Sequence, residues 1–338
     1  MLLKSIGKLN FFRIVCLLCI ITFGLIISIG CGGGGGDAPP PASITYTGIT
    51  TQAEITDANA EVIAAGAFEG GRSGSALSVF GAVENGTDEN SISFRTLKIP
   101  QVLEDALFQV DLSFVSGGPF IGVTQSESGS VSGTCGGTAS YTIQYNDQSG
   151  DFWGNFSLSS YCNGGVTFSG GVNFSGSLDL SDPNNPIFDE FTFTFTNLSD
   201  GSGSFNGTVN IDFSSTPIIV SFNAYLKDNT TEKVYWVRDY DMYITEGADG
   251  IGNYVDLEIV SGAYYDPDYG YITIETTTPI RTYEIDEWPS SGVIVVTGYN
   301  NNKVRLTVID ETQCEIDADL DGNDSYEWGP VVKNWVDL

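Results

Sequence analysis

The sequence predicts a mainly β protein: a large antiparallel meander, either a curved sheet or barrel-like, with one or two short helices near the N-terminus. Three observations carry that reading. From about Ser128 onward, apolar residues recur at every second position, the period of strands buried on one face. Clusters of Gly, Asn, Asp and Ser interrupt these runs about every ten residues, as hairpin turns do. The composition agrees, with 41 Gly, 16 Tyr and 20 Phe but only 17% charged residues, which suits an aromatic-rich β protein better than a helical or disordered one.

The elements follow in order. Ile44 to Ile49 reads as a short strand. Thr56 or Asp57 can N-cap a helix carrying Ala60, Val62, Ile63, Ala64, Ala67 and Phe68, which Gly70-Gly71 would stop. A second helix can start at Pro100, with Val102, Leu103, Ala106 and Leu107 on one face. Residues 44–120 thus form a mixed α/β part, and residues 121–338 an antiparallel β body. There, Phe152, Phe156 and Leu158, then Val166, Phe168, Val172, Phe174, Leu178 and Leu180, fall on even positions. After the Ser181–Pro186 loop the parity flips to Phe191, Phe193, Phe195, Phe205, Val209, Ile211 and Phe213. It flips again at Ile218, Val220, Phe222, Ala224 and Leu226. About a dozen strands result, and a flat sheet that wide would expose long edges, so curvature or closure is expected. Asn155, Asn173 and Asn206, in Asn-x-Ser/Thr triplets, read as polar outward positions.

The first thirty residues lie outside this fold. Lys4, Lys8 and Arg13 precede an apolar run from Ile14 to Gly30, the order of an export signal. The alternative is an uncleaved anchor, since about 17 apolar residues are the least that span a bilayer. Ser28-Ile29-Gly30-Cys31, followed by Gly32 to Gly36 and Pro39 to Pro41, resembles bacterial lipoproteins. In that family signal peptidase II cleaves before a cysteine that is then acylated, palmitate among the chains; the family usually has leucine where Ser28 stands. The resemblance implies a signal peptide at 1–30, lipidation at Cys31 and a tether at 31–43. Gly32 in place of aspartate implies the outer membrane, on its periplasmic or outer side. The five glycines reach about 12 Å and the three prolines about 9 Å, a short leash.

Charge and missing residue types narrow the function. Against 43 Asp+Glu stand 13 Lys+Arg, a net charge of −30, which excludes binding to nucleic acid, or to an anionic membrane through a basic face. With no histidine, Ser-His-Asp and Cys-His catalysis and the common zinc sites are excluded. The expectation is a non-enzymatic, lipid-anchored envelope protein with an envelope protein or glycan as partner. The alternatives are a glycan hydrolase using acidic pairs such as Asp239/Asp241 and Asp266/Asp268, and a carrier of apolar ligands in a curved β cavity. Tyr235, Trp236, Tyr240, Tyr264, Tyr265, Tyr269 and Tyr271 could stack on sugars or serve as sheet packing.

Two cysteines read as a disulfide. A two-residue loop at Gln148-Ser149 makes every facing pair sum alike, so Tyr145 faces Phe152, Tyr141 faces Phe156 and Cys135 faces Cys162. Directly opposed residues lie about 4.5–5.5 Å apart at Cα, within disulfide range. Exported compartments are oxidising, and the bridge would add about 3 kcal/mol. Cys314 is then a buried thiol.

The last candidate is a Ca²⁺ site. Asp317, Asp319 and Asp321 alternate ahead of Gly322, with Asn323, Asp324 and Glu327 following, an oxygen-ligand pattern suited to calcium. The segment resembles the first six positions of an EF-hand loop. Trp328 stands where the closing Glu should be, and the flanks read as strands, so an acidic solvated turn is the alternative. Val295 to Asn300, Lys303 to Val308, this loop and Trp335-Val336-Asp337-Leu338 resemble the C-terminal part of uncharacterised Gram-negative lipoproteins. Cys135-Gly136-Gly137 and Tyr161-Cys162 add to that likeness. It implies a shared β fold and export route, and no activity.

Overall fold

The computed structural model describes residues 44–78, 124–146, 148–163, 165–179 and 187–338. Cys31, the signal and tether segments and the second helix expected from Pro100 lie outside them.

Among the described residues one α-helix, α1 (Ala60–Ser78), precedes fourteen strands. The first seven are β1 (Thr124–Ser132), β2 (Gly136–Asn146), β3 (Asp151–Asn163), β4 (Val166–Asp179), β5 (Ile187–Ser199), β6 (Gly203–Asp212) and β7 (Ile218–Asp228). Then come β8 (Val234–Ala248), β9 (Asn253–Asp266), β10 (Gly270–Tyr283), β11 (Ser291–Thr297), β12 (Lys303–Val308), β13 (Gln313–Asp319) and β14 (Trp328–Asn334). They form one antiparallel sheet in sequence order, with every neighbour joined to the next. The sheet is open: β1 and β14 are its two edges. It is strongly curved, because α1 packs against β6 to β9 and also against β11 to β13.

The expected alternation holds on the inner face. Phe156, Leu158, Phe168, Val172, Phe174, Phe193, Phe195, Phe205, Val209, Val220, Phe222 and Leu226 are buried. Residues 44–78 contribute Ala53, Ile55, Ala60, Ile63, Ala64, Ala67 and Phe68 to the same core. The rings run on from strand to strand, Phe193 to Phe195, Phe195 to Phe205 and Phe205 to Phe222, with centroids 5.0–6.0 Å apart. Such pairs add about 0.5–1.5 kcal/mol each beyond the area they bury.

Parity changes inside strands arise at bulges. Ser160, Asn197 and Asp239 take left-handed φ values of 48°, 48° and 51°, and the register shifts at each of them. A bulge adds one residue to one strand and increases its twist, which helps so wide a sheet to curl. Asn206, half-buried rather than exposed, holds one of them by accepting the Asn197 N–H on its side chain. Asn155 and Asn173 are outward and exposed.

Two expectations near the N-terminus are corrected. Ile44–Ile49 is not a strand but part of a strap over the β9–β10 turn. Ile49 N–H donates to the Pro267 carbonyl, and Gln52 makes one parallel bridge with Tyr271. The helix also does not stop at Gly70-Gly71; it starts at Ala60 and runs through them to Ser78. These glycines give clearance rather than a stop. A Cβ on Gly66 would fall 2.5 Å from the Tyr264 hydroxyl, and one on Gly71 2.6 Å from Ile259 Cδ1. Close approach to the sheet outweighs their low helix propensity. Among the described residues no helix is long and apolar enough to cross a membrane.

Candidate functional site

Cys135 and Cys162 are bonded, with their Cα atoms 5.1 Å apart. The route differs in two details from that expected. Asn146 ends β2 and Asp151 starts β3, so the connection spans 147–150. Asn146 Oδ1 accepts the N–H of Gln148 and Ser149, and Gly150 N–H closes onto the Asn146 carbonyl. Tyr145 still faces Phe152 and Tyr141 faces Phe156, because the longer loop keeps the same register. Past Thr138↔Ser159 the Ser160 bulge intervenes, and Gly136, not Cys135, pairs with Cys162. Cys135 lies in the β1–β2 turn, just ahead of β2, and donates its N–H to the Cys162 carbonyl at 3.2 Å, which brings the sulfurs together despite the slip. Cys314 is free and buried, and burial pushes its thiol up to about 12.

The six expected calcium ligands separate into two groups. Asp319, Asp321 and Glu327 converge, one carboxylate oxygen of each lying within 4.8 Å of the others. Asp317 is drawn away: its carboxylate takes a two-pronged contact from Arg305 on β12, directly opposite in the register. Asp324 pairs with Lys303. Asn323, expected to offer its backbone carbonyl, uses its side chain inside the loop, where Oδ1 accepts the Ser325 N–H.

Asp319 ends β13 fully buried. Its carboxylate accepts the N–H groups of Gly322 at 2.8 Å, Asn323 at 3.2 Å and Asp324 at 2.7 Å. Burial alone would push its pKa up, but these backbone donors outweigh it and hold the carboxyl below the ordinary range. Gly322, at φ 75°, makes the sharp turn that aims those donors back. Glu327 Oε1 accepts the Leu320 N–H at 2.6 Å, clamping the loop from its far side. Asp321 and Glu327 are exposed, whereas Asp319 is committed to the turn. All three offer the hard oxygens that Ca²⁺ takes, so the donor set fits that ion, with remaining positions left to backbone carbonyls or water.

This loop belongs to a continuous rim. The β11–β12 turn touches it, since the Asn302 side-chain amide donates to the Leu320 carbonyl. Asn302 Oδ1 is buried without a hydrogen-bond partner. Tyr299 N–H in turn donates to Ala53 of the strap at 2.7 Å. The strap and the acidic loop therefore meet at one end of the sheet.

The proposed sugar-stacking aromatics divide by face. Tyr240 and Tyr264 are fully buried and serve the core, where Tyr240 reaches the Ala67 carbonyl of α1. Tyr235 stacks on Tyr264 on that inner side, and Tyr269 lies in the β9–β10 turn. Trp236, Tyr265 and Tyr271 lie on the outer face. The acidic pairs are not matched couples. Asp239 is held by Arg238 and Asn223, and Asp241 by Ser221 and Ser261. Asp266 is buried and caps the β9–β10 turn, while exposed Asp268 pairs with Lys233. Arg238 and Ser261 carried no signal in the sequence, because only the register across the Asp239 bulge brings them beside the aromatics.

Compared with known proteins, the chain matches no family model, no curated protein and no solved structure.

Proposed function

We propose that the protein is a non-enzymatic, lipid-anchored component of the outer membrane that works by binding, its β body held to the bilayer through an acylated Cys31. The observation that carries this reading is the Gly30-Cys31 junction with its glycine and proline segment, which in the sequence directly precedes the strap at one rim of the sheet. That strap is well fixed. Tyr46 donates to the Ile49 and Asp266 carbonyls, and its ring packs on Trp236 and Tyr265. A firm entry point next to a short leash suits a body kept close to a membrane. In the same reading Ca²⁺ is a structural ion at Asp319, Asp321 and Glu327, bracing the β13–β14 connection.

The test is palmitate labelling in a Gram-negative host. The wild-type chain should incorporate label and fractionate with outer membranes, and Cys31→Ser should lose both. Unlabelled wild-type chain, with Cys31→Ser fractionating as before, would overturn the lipoprotein reading.

A further inference from the structure

We propose that the outer face of β8–β10 carries a trough that binds a neutral, hydroxyl-rich ligand, of the class of short oligosaccharides. This deepens the binding role proposed above but does not depend on lipidation. Four rings stand at directly paired positions on adjacent strands: Tyr225↔Trp236, Trp236↔Tyr265 and Tyr265↔Tyr271. Their centroids are 5.4, 4.5 and 5.2 Å apart, a ladder crossing β7 to β10. Beside it lies a shallow, open depression of about 540 Å³, lined by Tyr265 and Tyr271, by Arg238 and Asp239, and by the Ser261–Ala263 stretch. That volume lies within the range of small-ligand sites, about 300–1,000 Å³.

The trough has a structural cause. At the Asp239 bulge the pairing skips from Arg238↔Ala263 to Asp241↔Ser261, so β8 and β9 part locally. β9 supplies only small side chains there, Ser261 and Ala263 outward and Gly262 between them. A Cβ on Gly262 would lie 2.3 Å from Tyr240 Cδ1, so the glycine makes room for the core tyrosine while its neighbours leave the floor bare.

The polar groups at the trough are already oriented. Trp236 Nε1 donates to Asn223 Oδ1 at 3.0 Å, and Asn223 Nδ2 donates to Asp239 at 3.1 Å. Arg238 donates to Asp239 and to the Tyr265 hydroxyl, both at 3.0 Å, and its guanidinium lies 5.3 Å from the Trp236 ring centroid. The guanidinium has five N–H donors, and these two bonds leave others directed at solvent or ligand. An anion would meet Asp239, Asp241 and a chain of net charge −30. A purely apolar ligand would strip water from Arg238 and Asp239 with nothing in return. Vicinal hydroxyls both donate and accept, so they satisfy carboxylate and guanidinium together, while the C–H face of a sugar ring covers Tyr271.

The experiment uses the full chain in detergent and isothermal titration with maltotriose, cellotriose and chitotriose, with trigalacturonate as the anionic arm. Arg238→Ala removes the donors, and Ser261→Arg fills the floor. Trp153→Ala alters an exposed aromatic of β3, away from the trough. Circular dichroism and melting confirm that each variant folds. Expected is saturable binding of at least one neutral trisaccharide, weakened about tenfold or more by Arg238→Ala, the loss of one charged hydrogen bond. Ser261→Arg should abolish it, and Trp153→Ala should leave it unchanged. The proposal is overturned if no neutral trisaccharide binds the folded chain with Kd below about 10 mM. Binding that persists in both trough variants, or that is confined to trigalacturonate, overturns it equally. Palmitate labelling reads the anchor separately, so failure of either proposal is seen without the other.

Discussion

Gly137 and Ser160 meet backbone to backbone across β2 and β3: a Cβ placed on the glycine would fall 1.8 Å from the Ser160 carbonyl oxygen. The same relation recurs between Gly170 and the Asn197 bulge, at 2.4 Å. Both glycines also hold positive φ, 68° and 131°. Each left-handed bulge residue thus presses its carbonyl region into the neighbouring strand, and only a residue without Cβ can stand there.

Gly137→Ala and Gly170→Ala should therefore each cost about 2–3 kcal/mol in urea unfolding, from strain plus clash. Gly165→Ala is the control. It too has positive φ, 81°, but nothing lies near its would-be Cβ, so its cost should stay at about 1–2 kcal/mol. Equal losses at all three would show that φ alone, not the close approach, selects these glycines.

Replacing both Cys135 and Cys162 by serine should lower stability by about 3 kcal/mol, the chain entropy restored to a loop of this length. The β2–β3 hairpin closes by its own register, so the fold should survive. Cys314 provides a second readout. Buried, with its thiol pushed up to about 12, it should react with a thiol reagent only on unfolding. In native wild-type protein no cysteine of the body should be labelled, whereas in the double variant labelling should track unfolding. Rapid native labelling would mean that Cys314 is exposed by local opening.

How far the fold was legible depends on the range of the interaction. The alternation from Phe152 to Leu226 identified strands and inner face, since burial on one face imposes period 2 locally. Gly70-Gly71 misled because a helix stop and a helix clearance use the same residue. What distinguishes them is Ile259 and Val237 on distant strands. The acidic loop was legible as a cluster but not in its membership. Asp317 and Asp319 look equivalent in sequence, yet Arg305, paired across β12, takes the first. The trough was invisible, because it depends on which residues a bulge brings opposite one another.

Two carboxylates should respond to pH with opposite sign. Asp266 has its folded pKa pushed up, chiefly by burial, against N–H donation from Asp268 and Tyr269. Lys233 favours its charge, Asp268 opposes it, and Tyr46, Tyr235 and Tyr264 face it as neutral hydroxyls. With folded above unfolded, its stabilising contribution is present below about pH 4 and is lost as pH rises through the folded value. Asp266→Asn should then raise Tm at pH 7 and change it little near pH 4. Asp310 is the reverse. Its carboxyl is held low by the Thr312 hydroxyl and by the N–H groups of Thr312 and Gln313. Its contribution is present above about pH 4 and lost as pH falls, so Asp310→Asn should lower Tm at pH 7, the gap closing toward acid. Melting curves from acid to neutral pH check both, and shifts of the same sign would refute the assignment.

Calcium at the β13–β14 connection gives the last prediction. Asp321 and Glu327, exposed and drawn to within 4.8 Å of Asp319, repel one another unless a cation or water relieves them. An ion bound only by the folded state adds RT ln(1 + [L]/Kd), about 2.7 kcal/mol at a hundredfold excess over Kd. For a body of this size that raises Tm by about 5 °C or more. Magnesium should do less, since it demands a tighter octahedron and gives up water reluctantly. Variants separate the ion from the turn. Asp319→Ala strips three backbone N–H groups of their acceptor and should destabilise by about 1–3 kcal/mol even in EDTA. Asp321→Ala bears on an exposed ligand; in EDTA it should leave Tm nearly unchanged while abolishing the calcium response. A Tm indifferent to millimolar Ca²⁺ in the wild-type chain would reduce the loop to a turn held by Asp319 and Glu327 alone.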